Sequence, residues 1–217
     1  MPPNREDEIR ANLAEAQLVI DSLRFAGLDI DTVDDLIFRF TGDDLLPYMS
    51  ILEDWWRRAS RYAVKGTLVR SFIPYGKHMV PELLAEFRRD PNMDSSYSSH
   101  ISVVLHSLAQ RKYRSDMLQI LRDVSTPMVN RTAMLYPLQK FVGPDLLPDY
   151  EGLLANPELL RFSGETMEVL DGLGRTRSPE ALPLARQFLR HENSGVREHA
   201  RRAVRRLERD IAGKAAE

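Results

Sequence analysis

The chain has 217 residues, 43% of them hydrophobic and 29% charged, with a formal net charge of −2. That apolar content suffices for a buried core, and the length suits one ordinary domain or one short helical array. The absence of cysteine excludes disulfides, thiolate nucleophiles and cysteine metal sites together, and the near-neutral charge argues against a dedicated nucleic-acid binder, which carries a basic excess.

The first seven residues lack the apolar core of a signal peptide, and no uninterrupted apolar run is long enough to cross a bilayer. A cytoplasmic protein without membrane contact is therefore expected. Ile9, Leu13, Ala16, Ile20 and Leu23 fall on one face of a helix predicted over 5–26. Gly27 stops that helix, because glycine tolerates the left-handed backbone of a C-terminal cap. Thr32-Val33-Asp34-Asp35 fits a loose capping pattern before Val33, Leu36, Ile37 and Phe40, and Gly42 is expected to end this second helix. Residues 1–41 thus read as a capping helical hairpin.

From residue 45 onward a short phrase recurs: Leu45-Leu46-Pro47, Met79-Val80-Pro81, Met117-Leu118 without the proline, Leu146-Leu147-Pro148 and Ala181-Leu182-Pro183. The anchor residues run from Leu46 to Leu182 in four steps, a mean of 34 residues. Each phrase opens one amphipathic helix and a second follows. The predicted pairs are 44–54 with 57–73, 77–89 with 96–110, 115–124 with 127–142, 145–155 with 158–173, and 179–191 with 195–211. These give five repeats at about 43–74, 77–110, 114–142, 144–173 and 178–211, all in one structural domain over 42–217. Pro179 behind Ser178 suits a first helical position after a serine cap. Pro47, Pro81, Pro148 and Pro183 lie one turn further in, so bent first helices are expected. Residues 1–4 and 212–217 should fray.

A two-helix period of this size is the mark of an α-solenoid. The Trp, Gly-Tyr and Ala/Phe landmarks of tetratricopeptide repeats are missing. The last unit reads Ser178-Pro-Glu-Ala-Leu-Pro-Leu-Ala and then Val196-Arg197-x-x-Ala200-x-x-Ala203-Val204-x-x-Leu207. It resembles a short HEAT-like repeat of the phycobilisome-lyase type. The stretch from Ile20 to Gly27 and on through Leu36 is similar to the start of small bacterial HEAT-repeat proteins. The resemblance implies an all-α, right-handed solenoid with the second helices lining its concave side. It specifies no chemistry. Small bacterial proteins of this look include candidate immunity or inhibitory partners of toxins.

No catalytic motif appears. Gly172-Leu173-Gly174-Arg175-Thr176-Arg177 begins like a dinucleotide fingerprint but ends in arginine with no preceding strand, so a helix cap explains it. Gly76-Lys77 lacks the earlier Walker glycine. Asp29-Ile30-Asp31-Thr32-Val33-Asp34 fails the calcium-loop pattern. His100 and His106 lie six apart on one helix and cannot grip one metal together; His78, His191 and His199 form no ligand pair either. No enzyme, metal or cofactor is expected.

Charge is unevenly placed: acids dominate between Asp29 and Asp54, opposed only by Arg39, and arginines dominate between Arg186 and Arg209. The reading that follows is a scaffold binding a protein partner through exposed second-helix positions and turn aromatics. The contact residues it names are Trp56, Arg61, Lys65, His100, Arg131, Glu165, Arg201 and Arg205. The alternative rests on a second resemblance, to HEAT-like alkylpurine DNA glycosylases, which hold duplex with Trp, Asp and Arg side chains. Glu53, Asp54, Trp55, Trp56, Arg57 and Arg58 offer those residue types in one stretch. Adjacent residues point about 100° apart on a helix, so only one of the two tryptophans can face a groove.

Overall fold

The computed structural model describes residues 4–215 and is helical throughout, with no strand among them. The chain falls into two compact units that divide between Gln110 and Arg111.

The first unit opens with α1 (Arg5–Phe25). Asn4 caps it by accepting the Glu6 N–H, and Glu6, Asp7 and Glu8 place negative charge against the positive end of the helix dipole. Gly27 stops it as expected. With φ at 99° it turns the chain so that the Leu28 N–H reaches the Leu23 carbonyl and the Gly27 N–H the Arg24 carbonyl. The apolar stripe of α1 is only half used. Ile20 and Leu23 are buried, whereas Ile9 and Leu13 stand in solvent because no element covers the first turns.

The next helices are α2 (Asp35–Phe38) and α3 (Gly42–Leu45). Gly42 therefore opens a helix rather than ending one. Its Cα packs against the Pro74 ring, where a Cβ has no room, and Asp44 accepts the Thr41 N–H to cap the turn. A 3₁₀ turn at Leu46–Tyr48 leads into α4 (Met49–Arg58), followed by α5 (Tyr62–Arg70), α6 (Val80–Arg89) and α7 (Ser95–Leu108). α5 is the central helix of the unit, contacted by α1, α2, α4 and α7. Every residue from Val64 to Val69 is buried as a result.

The second unit contains α8 (Arg114–Arg122), α9 (Met128–Thr132), α10 (Leu135–Leu138), α11 (Leu147–Leu154), α12 (Ser163–Leu173), α13 (Ala181–Gln187) and α14 (Ser194–Ala215). The single helix predicted over 127–142 is broken into α9 and α10. Pro137 cannot donate to the Ala133 carbonyl four residues back, and its ring crowds that turn. α12 packs on α11 and α14, and two glycines permit the approach. A Cβ on Gly172 would enter the Tyr150 ring, and one on Gly174 would lie 2.9 Å from the Ala203 Cα. Gly174 also caps α12, as the sequence implies. α14 is capped by Asn193, whose Oδ1 accepts the Gly195 and Val196 N–H groups. It runs on to Ala215, so residues 212–215 are helical; residues 1–3 and 216–217 lie outside the described residues.

The phrase prolines do not sit inside longer helices that they bend. Pro81 and Pro148 are the second residues of α6 and α11, each behind a 3₁₀ turn, Pro47 lies in the 3₁₀ turn before α4, and Pro183 is the third residue of α13. The first N–H groups of a helix have no intrahelical acceptor, so a missing donor costs nothing there. The four phrases that carry a proline mark the starts of α4, α6, α11 and α13, whereas Met117-Leu118 lies inside α8.

Candidate functional site

Trp56 and Lys65 do not lie on the surface. Trp56 is 2% exposed, its Nε1–H donates to the Tyr97 hydroxyl at 2.9 Å, and its ring meets Phe72 edge-on at 5.9 Å. Lys65 is 8% exposed. Its Nζ lies 2.7 Å from Glu86 Oε1 and 5.5 and 5.7 Å from the Trp56 and Tyr97 ring centres. The reason is the central place of α5: a lysine that a helical wheel turns outward meets α7 and α6 instead of water. Glu86, also buried, accepts from Tyr97 at 3.3 Å and pairs with Arg89. Tyr62 stacks on Tyr97 at 5.2 Å and donates to Asp90.

These contacts set the protonation states. The hydrogen bond to Asp90 pushes the Tyr62 phenol up to about 12, and burial pushes that of Tyr97 up. Burial lowers the Lys65 ammonium from its ordinary value despite the carboxylate beside it. The cluster is thus an internal ion pair wrapped in aromatic rings, joining α4, α5, α6 and α7. Trp56 and Lys65, both expected as contact residues, are thus buried inside the first unit.

The structure brings two other predicted residues together. Arg61 and His100 line a cavity of about 370 Å³ with Glu8, Asn12 and Asp94. Glu15 fixes two of its lining residues by accepting the Ser60 and Arg61 N–H groups at 2.7 and 2.9 Å. His100 is half-buried, and burial lowers its imidazole pKa. Its Nδ1 has no hydrogen-bond partner among the described residues and presses on Gly66, where a Cβ would collide with it. In the second unit Arg131 is half-buried on α9, donating to the Leu121 carbonyl at 3.4 Å, and Glu165 is half-buried in the first turn of α12. Arg201 and Arg205 are exposed on α14, both against Glu198 at 3.5 and 3.4 Å.

A larger concavity was not anticipated. Between α1 and α4 a groove of about 730 Å³ is lined by Leu18, Phe25, Ile51 and Trp55, with Asp21 and Asp54 among its polar groups. Phe25 is 97% exposed and Leu18 56%. Trp55 is the tryptophan that reaches the surface, with the Arg58 guanidinium 4.5 Å over its ring and Arg58 in turn paired with Asp54. The signal available in the sequence was the position of Leu18 and Phe25 off the stripe that buries α1.

Among the described residues no group of three or more His, Asp or Glu side chains is placed to hold a metal ion, and no helix is long and apolar enough to cross a membrane. No protein-family model, no curated protein and no solved structure matches the chain.

Proposed function

We propose that this protein is a non-enzymatic binding module that takes a protein partner on the α1–α4 groove. The observation that carries the reading is the exposure of Phe25 and Leu18 beside the half-buried Trp55 around one concavity. Isolated surface apolar residues are ordinary, but a contiguous apolar patch edged by charge is how interaction surfaces look. The groove fits an amphipathic helix of the partner, with two or three apolar anchors and a flanking Lys or Arg to meet Asp21. Two acids against Arg58 give the groove a negative balance that opposes a phosphate backbone, which sets this reading above the glycosylase-like one. We further propose that the helix pairs are HEAT-like repeats of a right-handed α-solenoid. Within each unit, successive second helices pack on one another, α5 on α7 and α12 on α14, which supports repeat stacking.

The experiment is affinity capture from the native host with the wild-type chain, Phe25→Asp, Trp55→Ala and Arg201→Glu, each first shown to keep its far-UV circular dichroism. A partner held by wild type and Arg201→Glu but lost with the two groove variants is expected. Equal capture by all four rejects the groove. Self-association in sedimentation velocity that vanishes with Phe25→Asp makes a second copy the occupant and rejects a foreign partner.

A further inference from the structure

We infer that the second unit carries a binding site for a di- or triphosphate group, in a cavity formed by the 139–144 segment, the turn after α12 and the last turns of α14. The cavity measures about 570 Å³ and is lined by Lys140, Arg175, Arg177, Arg206 and Arg209 against a single acid, Asp210. The chain as a whole carries a formal charge of −2, so this concentration of five cations around one acid is local.

Several arginines elsewhere in the molecule are held by carboxylates, among them Arg57 by Glu82, Arg122 by Asp149, Arg186 by Glu208, and Arg201 and Arg205 by Glu198. Arg175, Arg206 and Arg209 have no such ion pair with any described residue. Cations gathered around one concavity repel one another, and a multivalent anion relieves that repulsion while taking N–H donors from the arginines.

The positions are built rather than incidental. Arg206 and Arg209 are three apart on α14 and share a face. Arg175 and Arg177 flank Thr176, which is fully buried and donates to the Leu173 carbonyl at 2.7 Å. That anchor keeps both flanking arginines at the surface. Arg177 holds φ at 56°, a left-handed backbone that usually falls to glycine. The volume lies within the range of about 300–1,000 Å³ usual for small-molecule sites. Arg175 and the Arg206–Arg209 pair reach the cavity from two different elements, and its volume is larger than a single phosphate fills. A chain of two or three phosphates matches that span, whether inorganic or attached to a nucleoside.

The test is isothermal titration of the full chain with inorganic phosphate, tripolyphosphate and ATP. Saturable binding of tripolyphosphate, at least tenfold tighter than phosphate, is expected. Arg175→Gln and Arg206→Gln should each weaken it by about tenfold, Arg209→Gln serving as the alternative where a variant fails to fold, while Arg201→Gln leaves it unchanged. ATP equal to tripolyphosphate means that phosphates alone are read, and ATP binding more tightly means that a nucleoside is read too. Absence of saturable binding at millimolar tripolyphosphate overturns the site, as does equal weakening by Arg201→Gln. Duplex DNA that displaces tripolyphosphate at lower concentration overturns it in favour of a nucleic-acid surface. The partner groove is in the other unit, so each reading stands or fails by itself.

Discussion

Replacing Glu86 with leucine should be among the most damaging single changes in the first unit. Glu86 and Lys65 face each other at 2.7 Å with side-chain exposures of 3% and 11%, so neither ion has much water to fall back on. Removing the acid leaves the ammonium uncompensated among aromatic rings, a loss of about 3–5 kcal/mol for a buried pair broken on one side. The Tyr97 hydroxyl, 3.3 Å from Glu86 Oε1, also loses its acceptor, which is worth about 1–3 kcal/mol within that total. Set against a folding free energy of about 5–15 kcal/mol, the variant keeps little margin. Lys65→Met should cost less, since Glu86 retains Arg89 and Tyr97. The double variant Lys65→Met with Glu86→Leu matches the original volumes and removes both charges together. It should recover most of the loss, short of the tyrosine contribution. Urea unfolding followed by circular dichroism gives all four corners of this cycle. A Glu86→Leu cost below about 1 kcal/mol, or a double variant no more stable than that single one, refutes the claim that the pair is internal and coupled.

In the second unit burial pushes the Glu168 carboxyl up to about 7 from its usual 4.5. A folded-state pKa above the unfolded one gives stability that is present below 4.5 and lost as pH rises through about 7. At about 1.4 kcal/mol per pH unit, and discounting for partial exposure, the loss is about 2 kcal/mol. Glu168→Gln should flatten that slope in thermal melts taken across the same range, and an unchanged slope contradicts it. Gly172→Ala should cost about 1–3 kcal/mol in urea because the new methyl enters the Tyr150 ring; Gly152→Ala, with open space around it, is the control and should be neutral or slightly stabilising. Trp56→Ala should lose about 3–5 kcal/mol by emptying a core site, while Trp55→Ala loses far less and acts on partner capture instead.

The helices themselves were readable because each depends on local chemistry. Gly27 terminates α1 through its own backbone freedom, and the phrase prolines mark helix starts through their missing N–H. What a proline does there was harder to read, since first-turn and interior positions differ by only a few residues and the preceding 3₁₀ turn leaves no sequence signature of its own. The stripe on α1 shows a related limit. Ile9 and Leu13 match Ile20 and Leu23 in spacing and in kind, yet only the latter are buried. Periodicity reports which residues share a face and says nothing of whether another element arrives to cover it.

The candidate site turns on that same distinction. Trp55 and Trp56 are neighbours on α4, and local pattern predicts that they diverge but not which one goes inward. The choice is made by Tyr97, 41 residues further along, whose hydroxyl receives the Trp56 N–H. Lys65 is drawn inside by Glu86, 21 residues away, although each residue alone belongs on a surface. Phe25 is the converse case: an aromatic residue at the end of α1, beyond the reach of the helices that bury Leu23, is left beside Trp55 where α4 passes. Pairings across such separations follow from how helices stack, so the residues that a wheel diagram turns outward became core, and the groove was assembled from residues that it leaves between faces.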